Sequence, residues 1–501
     1  MYIFENYLQS KIYYFVNIYE NCYNCLIKIL DDNIKYYFSV AIWRKTKKME
    51  EIKKIEKDKP DLSPWQILNM SVGFFGIQHG FEIQFARMSS IYEQLGADPS
   101  TIPMLWLAAP MTGLIIQPII GYMSDRTWIS PLRMRRRPYF MIGAILATIA
   151  LFLMPNSSSL WMAAGLLWVL DASLNISMEP FRAFVADKTN EKQRSNGFAM
   201  QTLMIGLGTI LGNFIASLDW IKQMPWMQKY CPTSMHASFY ICAVIYILSI
   251  IYTVITTDEY PPDEKQLEEQ KNSLPPIESL KKWFKETTEC FTKMPEVMKK
   301  LAWVQFFTWM GLYCFWIFYS VAVARYVFGA SDPNSDLYQE GIRFGAHTMM
   351  IKGFATPLFA LMIPWLTKKM GIVNTHAMSL IGCGLGFLAI PFIGVGHHQI
   401  LYIPMILAGI GWAAITSLPY IILSDQIPKE KYGIYMGIFN MFIVIPEILV
   451  SLGLSAVIMG MLNGNQAYAV GFGGVLLLIA SGICPLLKKK AINNNESVEE
   501  K

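Results

Sequence analysis

Charge is scarce in this chain. Of its 501 residues only 16% are Asp, Glu, Lys or Arg, where a soluble protein carries ~25%. With 53% hydrophobic residues gathered into runs of about 20, that scarcity excludes an ordinary soluble domain. A strong excess of one charge is also missing. The net charge is +5, and the basic residues lie in loops between apolar runs, so no nucleic-acid surface is read from them. The eight cysteines are scattered, several inside apolar runs (Cys242, Cys314, Cys383), without metal spacing or a disulfide framework. The one close pair, Cys22 and Cys25, is a weak signal. Catalytic signatures are absent as well: no G-x-S-x-G, no H-E-x-x-H and no phosphate-binding glycine loop. Gly206, Gly208 and Gly212 read as small-residue helix packing. Without an ATP-binding domain, a pump of this sequence must draw on an ion gradient. No cofactor and no metal are expected.

What is present is a series of twelve apolar runs, near 64–86, 102–123, 138–155, 160–186, 198–218, 235–256, 300–324, 341–365, 373–395, 400–424, 433–459 and 466–487. Each is long enough for a hydrocarbon core of ~30 Å. Lys and Arg over alternate loops number about 32 on one side and about 4 on the other. The positive-inside rule then places both termini in the cytoplasm. The expected fold class is an all-α integral membrane protein of twelve transmembrane helices in two six-helix bundles. The parts are an N-terminal cytoplasmic extension 1–61, a bundle 62–256, a linker 257–299, a second bundle 300–487 and a tail 488–501. Residues 1–48 form neither a clean span nor a signal peptide. The shift of composition at Met49 suggests that translation starts near there.

The fourth run is the anomaly. Leu160 to Ala186, LWMAAGLLWVLDASLNISMEPFRAFVA, holds Asp171, Glu179 and Arg182 at depths where a charge costs roughly 2.5–3.5 kcal/mol or more. At about 100° per residue, Asp171, Asn175, Met178 and Arg182 share one stripe with Glu179 at its edge. That stripe is expected to face a cavity. Asp171 and Arg182 are ~16 Å apart along a straight helix, too far to pair, so they bracket a site unless each has a structural salt bridge elsewhere. Glu179, three residues before Arg182, is spaced for an intrahelical pair or a proton role. Asp187 is expected to pair at the helix end.

On the first run Gln78, His79, Glu82 and Gln84 put polar groups inside a span. Gln78 and Glu82 share a face, which makes Glu82 a second protonation candidate and Gln78 a hydrogen-bonder for a polyol. His79 either joins them or is a core histidine. The bland alternative for Gln84 and Arg87 is that they lie near the outer end and simply meet water. On the seventh run Gln305, Trp309, Tyr313 and Trp316 recur at helical spacing, suiting sugar faces or simple packing. Lys352 lies deep in the eighth run, with Glu447 a candidate partner. Asn440 and Glu447 flank a helix-loosening Ile445-Pro446.

The second and third runs are joined by Gly121-Tyr-Met-Ser-Asp125-Arg126, then Arg133-Met-Arg135-Arg136-Arg137-Pro138. This resembles the signature loop of the major facilitator superfamily. There Gly121 would admit a close helix approach, Asp125 would pair or cap, and Arg126, Arg135, Arg136 and Arg137 would hold the loop at the cytoplasmic face. A narrower resemblance rests on GIQHGFEIQ (76–84), LWLAAPMTGLIIQPIIGYMSDR (105–126), RRRPYF (135–140), LDASLNISMEPFRAFVAD (170–187), SLPYIILSD (417–425) and YGIYMGIFNMFIVIPEI (432–448). These look like the glycoside–proton symporters, which include plant sucrose transporters, with the bacterial members matching best. Three departures stand out. The arginine loop has Leu132 and Met134 where Arg and Gly are usual; the first helix has His79, Glu82, Phe85 and Arg87 at unusual places; and Glu447 replaces Gln. The resemblance implies proton-driven uptake of a disaccharide such as sucrose or maltose across the cell (inner) membrane, with Asp171 and Arg182 in coupling and binding. The expected partners are a sugar, protons and the lipid bilayer, and no nucleic acid. Two rivals stay open: an exporter or carrier of another solute on the same fold, and a membrane-embedded transferase using Asp171, Glu179 and His79.

Overall fold

A computed structural model describes residues 59–129, 132–190, 192–261, 276–424, 427 and 432–490. The expectations for residues 1–58, including Cys22, Cys25 and Met49, and for the end of the tail fall outside the described residues. Regular structure among the described residues is helical, with one isolated bridge between Ile129 and Met134. We label the long helices α1 Pro64–Gln94, α2 Ala108–Arg126, α3 Arg137–Leu153, α4 Leu160–Lys188, α5 Arg194–Ser217 and α6 Ser234–Thr256, then α7 Glu296–Ala322, α8 Asp336–Met370, α9 Ile372–Ala389, α10 Tyr402–Ile415, α11 Tyr432–Leu449 and α12 Gln466–Ile483. A separate helix, Pro276–Thr292, lies in the linker.

The ends of these helices follow local chemistry. Ser63 caps α1 by accepting from the Gln66 backbone, and the Gln66 side chain returns the bond to the Ser63 N–H, with Pro64 at the first position. Ser159 and Ser335 cap α4 and α8 by accepting from the Met162 and Tyr338 backbone N–H groups, without the return bond. Gly371, at φ 82°, ends α8 and turns the chain into α9.

Eleven stretches are long and apolar enough to cross a membrane, among them Ile102–Arg126, which includes α2, and α4 itself. Large apolar side chains such as Trp161, Leu361, Phe392 and Met461 are exposed on their flanks, as suits a lipid-facing surface. The exception is α1. It has 31 residues, yet its polar side chains keep it below the apolar threshold that the eleven pass. It also runs past the expected end at residue 86 to Gln94 and is buried along most of its length. Two other runs are broken. The second has a short turn of helix at Ile102–Leu105 before α2, and the tenth resumes as Leu418–Ser424 after a break. On the eleventh run the irregularity is not at Pro446, which stays inside α11, but just beyond it, in a π-helical turn at Val450–Leu454.

Helices α1 to α6 pack chiefly on one another, as do α7 to α12, and the two sets meet where α5 touches α8, α1 touches α7 and α8, and α2 touches α11. The α1–α5 contact relies on glycine. A Cβ on Gly208 would lie 2.6 Å from the Phe75 carbonyl oxygen, and one on Gly212 would lie 2.8 Å from Glu82 Cβ. Gly206 has nothing within 4 Å, so the packing motif uses two of its three glycines. Gly121 departs from expectation too. A Cβ there would sit 3.6 Å from Glu179 Cγ, an ordinary contact, so that position does not require glycine for close approach.

Candidate functional site

The Asp171 side chain on α4 is fully buried. Its Oδ1 accepts from Gln84 Nε2 of α1 at 2.9 Å, and its Oδ2 has no partner. Gln84 Oε1 is unpartnered as well. One turn further along α4, Asn175 Nδ2 donates to the Asp171 carbonyl at 2.9 Å and to Thr112 Oγ1 at 3.1 Å, while Gln117 Nε2 donates to Asn175 Oδ1 at 2.7 Å. Exposure then rises along the same stripe. Asn175 is buried, Met178 and Glu179 are half-buried, and Arg182 is exposed. The stripe thus runs from a buried end to an exposed one.

The intrahelical pair does not form. Arg182 Nη2 rests 3.6 Å from Met178 Sδ, and no ion pair within 4 Å joins it to Glu179 among the described residues. The long side chain leans along the helix toward residue 178 instead.

Glu82 on α1 differs from Asp171. Its Oε1 accepts from Gln78 Nε2 at 2.8 Å and Thr209 Oγ1 at 2.9 Å, and its Oε2 accepts from Asn213 Nδ2 at 2.7 Å. Three uncharged donors therefore occupy both oxygens. Gln78, expected to face a sugar, is held by Glu82. His79 turns away from both. It is fully buried against α5, where a Cβ on Gly212 would lie 3.4 Å from its Nδ1, and neither ring nitrogen has a side-chain partner. It behaves as a packed core residue.

Gln84 and Arg87 do not meet water. Because α1 continues past residue 86, both are buried, and Arg87 donates from Nη2 to the Ala216 carbonyl of α5. Beyond them Glu93 receives Arg325 Nε at 2.8 Å, Tyr338 Oη at 2.7 Å and Gln466 Nε2 at 2.9 Å, from the end of α7, from α8 and from α12. Ser89 Oγ donates to the Ile317 carbonyl, and Tyr313 Oη donates to the Trp106 carbonyl. Arg343 pairs with Asp219 at 3.3 Å. These bonds between the two helix sets all lie at one end of the molecule, the end where α1 stops and α8 begins.

The opposite end carries the arginine loop. Arg136 pairs with Asp125 at 2.5 Å and with Asp187 at 2.9 Å. Arg135 lies 3.7 Å from Asp125, and Arg137 meets Glu259 at 3.3 Å. Arg126 stands outside this network, stacked 3.5 Å above the Tyr122 ring. Glu259 was not foreseen. Its carboxylate accepts from the backbone N–H groups of Arg135, Arg136 and Arg137 at 2.7, 2.6 and 3.3 Å, so it holds the start of α3, where free N–H groups and the helix dipole favour an anion.

The second helix set supplies an aromatic wall. Trp309 lies 6.0 Å from both Trp316 and Trp412, Trp316 lies 5.5 Å from Trp412, and Phe85 of α1 stacks on Trp316 at 5.2 Å. Gln305 is fully buried with neither amide atom bonded, and Trp309 Nε1 is unpartnered. Lys352 and Glu447 do not pair. The Lys352 ammonium lies instead 5.6 Å from the Trp412 ring. Asn440 is exposed on α11. Among the described residues no group of three or more His, Cys, Asp or Glu is gathered for a metal.

Comparison with known proteins agrees with this architecture. The model of the Major Facilitator Superfamily matches residues 70–451. Sucrose transport protein SUC4 of Arabidopsis thaliana is 25% identical over 455 residues, covering 81% of this chain and 88% of its own. Sucrose transport protein SUT2 of Oryza sativa subsp. indica is 26% identical over 425 residues, covering 75% and 84%. Among solved structures, the nucleoside transporter NupG superposes with a TM-score of 0.61 at 14% identity, over 85% of this chain and 98% of that one. The peptide transporter POT in complex with sulfate superposes with a TM-score of 0.62 at 12% identity, over 87% and 98%. The family is one of transporters, which removes the transferase reading of Asp171, Glu179 and His79. With its eleven apolar spans and the polar helix α1 buried among them, the chain is a multi-pass integral membrane protein that belongs to the Major Facilitator Superfamily.

Proposed function

We propose that this protein is a proton-coupled importer of a disaccharide or related glycoside, working by alternating access between bundles 62–256 and 300–487. In this reading α1 is the twelfth span, both termini are cytoplasmic, and the arginine loop marks the cytoplasmic face. The observation that carries the reading is Asp171, a buried carboxylate with one oxygen held by Gln84 and the other free, at the closed end of a stripe that opens toward Arg182. A proton on the free oxygen removes a charge that costs roughly 2.5–3.5 kcal/mol or more in the bilayer interior, so loading and unloading couple to the movement of the site. The names of the plant relatives support a sugar as cargo.

The roles follow from position. Asp171 carries the proton. Asn175, Gln305 and Trp309 hold the sugar in the interior, and Arg182, Glu179 and Asn440 line its way to the open end. Glu82 with Gln78 sets the rear wall through α5, and His79 packs behind it. The test is uptake of radiolabelled sucrose and maltose by the full-length protein in proteoliposomes, with and without an inside-alkaline pH gradient. Accumulation is expected only with the gradient. Asp171→Asn is expected to abolish accumulation while leaving exchange of internal for external sugar. Absence of uptake of either sugar, or full accumulation by Asp171→Asn, overturns the reading.

A further inference from the structure

Lys352 lies near the middle of α8, too deep for its ammonium to reach either end. It is 94% buried, since only 6% of its surface is exposed, and none of the described carboxylates lies within 4 Å of it. Its nearest compensation is aromatic, the Trp412 ring at 5.6 Å and the Phe315 ring at 5.9 Å. Such contacts return less than an ammonium costs at the bilayer centre. The charge is left short of a partner.

Two further groups, on the α7 turn that meets Trp412 and the turn before it, are short of partners. Trp309, whose ring is 6.0 Å from that of Trp412, has a free Nε1–H. Gln305, one helical turn earlier on α7, is fully buried with both amide atoms free. Taken together, an ammonium, an indole N–H and an amide NH2 offer several donors, against one amide oxygen as acceptor. Sugar hydroxyls are donors as well as acceptors. A neutral disaccharide would therefore leave the positive charge uncompensated, whereas anionic oxygens satisfy both the charge and the surplus of donors.

From this we infer that Lys352, Gln305 and Trp309 form a subsite for an anionic substituent, a carboxylate or a phosphate, on the transported glycoside. The inference rests on the carrier reading above and narrows its substrate class.

The experiment is equilibrium binding to the full chain in lipid nanodiscs. The probes are sucrose, sucrose 6-phosphate, the disaccharide acid glucuronosyl-glucose with its neutral parent, and inorganic phosphate and acetate as bare anions. At least one anionic disaccharide is expected to bind about tenfold or more tighter than its neutral counterpart, the gain of a charge-assisted hydrogen bond. The phosphate and carboxylate arms identify which anion the subsite takes. Lys352→Gln is expected to bring the ratio of anionic to neutral affinity down to about one, and Lys352→Arg to keep it well above one. Equal or tighter binding of the neutral sugars to the wild-type protein overturns the inference whether or not the variants fold. So does a ratio that survives Lys352→Gln, or bare phosphate binding as tightly as the sugar phosphate. Sucrose accumulating with a pH gradient while the anionic disaccharides show no advantage would sink the subsite and leave the carrier reading standing. An anionic glycoside bound tightly, with neither sucrose nor maltose accumulated, leaves the subsite standing and sinks the neutral-sugar reading.

Discussion

Glu93 on α1 and Arg325 at the end of α7 meet at 2.8 Å, and the Glu93 side chain is fully buried while that of Arg325 is partly exposed. Tyr338 and Gln466 complete the carboxylate's shell. One residue of the first helix set is thus tied to three elements of the second, at the end of the molecule that is closed.

Removing this tie should open that end. Glu93→Gln keeps the shape and loses the charge, and each charge-assisted bond lost is worth about 1.5–3 kcal/mol. The expected outcome is a shift of the population of roughly tenfold or more toward separation of the two sets. Spin labels at Ser100 and Asn334, read as a distance distribution, check it. An unchanged distribution would mean that other contacts hold the end shut.

The neighbouring tie between Arg343 and Asp219 should not respond to mild acid. Asp219 lies between α5 and α6, outside the spans. Burial alone would raise its carboxyl, but the Ser234 hydroxyl, Arg343 and the Lys222 N–H outweigh burial and hold it below the ordinary value of 3.8. A depressed carboxyl contributes stability above its unfolded value and loses it as the pH falls through the folded one. The pair is therefore intact from pH 8 to pH 5 and weakens only below 3.8. Asp219→Asn should lengthen the distance between labels at Lys222 and Glu340, whereas acidification from pH 7.5 to 5.5 should not lengthen it through this residue.

The buried carboxylates Glu82 and Asp171 should separate by phenotype. Glu82 has both oxygens occupied by Gln78, Thr209 and Asn213, so Glu82→Gln turns an amide NH2 toward donors. That should destabilise the α1–α5 contact by about 1–3 kcal/mol, seen as a lower Tm, with gradient-driven accumulation retained. Asp171→Asn should do the reverse. Loss of accumulation in Glu82→Gln at unchanged Tm would make Glu82 the proton carrier.

Glu259 should anchor the arginine loop. Glu259→Gln weakens its hold on the Arg135, Arg136 and Arg137 amides, and their hydrogen exchange should accelerate by about tenfold or more. Exchange as slow as in the wild type would show that the Asp125 and Asp187 pairs hold the loop without it.

Much of this was legible from periodicity. Asp171, Asn175 and Arg182 share a face because the helix repeat dictates it, and the series of spans follows from apolar runs. What was illegible depended on where a helix ends or on what lies far away in sequence. Hydropathy fades at residue 86 and leaves a water-facing alternative open for Gln84 and Arg87, yet α1 continues to Gln94 with both buried. Glu259 is more than 120 residues from the backbone it binds and belongs to no local motif. Lys352 and Glu447 are complementary in charge, but α8 and α11 do not bring them together. Thr209 and Asn213 did leave a trace, two polar residues four apart in an apolar run, each directly following a glycine of the α1–α5 contact.

The polarity of α1 bears on how the protein is made. A helix with Gln78, His79, Glu82, Gln84, Arg87 and Glu93 along its length gains little from hydrocarbon by itself. Apart from the Gln78–Glu82 bond within the helix, its polar groups find partners that include residues of α4, α5, α6, α7, α8 and α12, all synthesised later. The nascent α1 must therefore wait at the insertion machinery, or re-enter from the surface, until later segments arrive. A helix made before these partners is among the last to be secured.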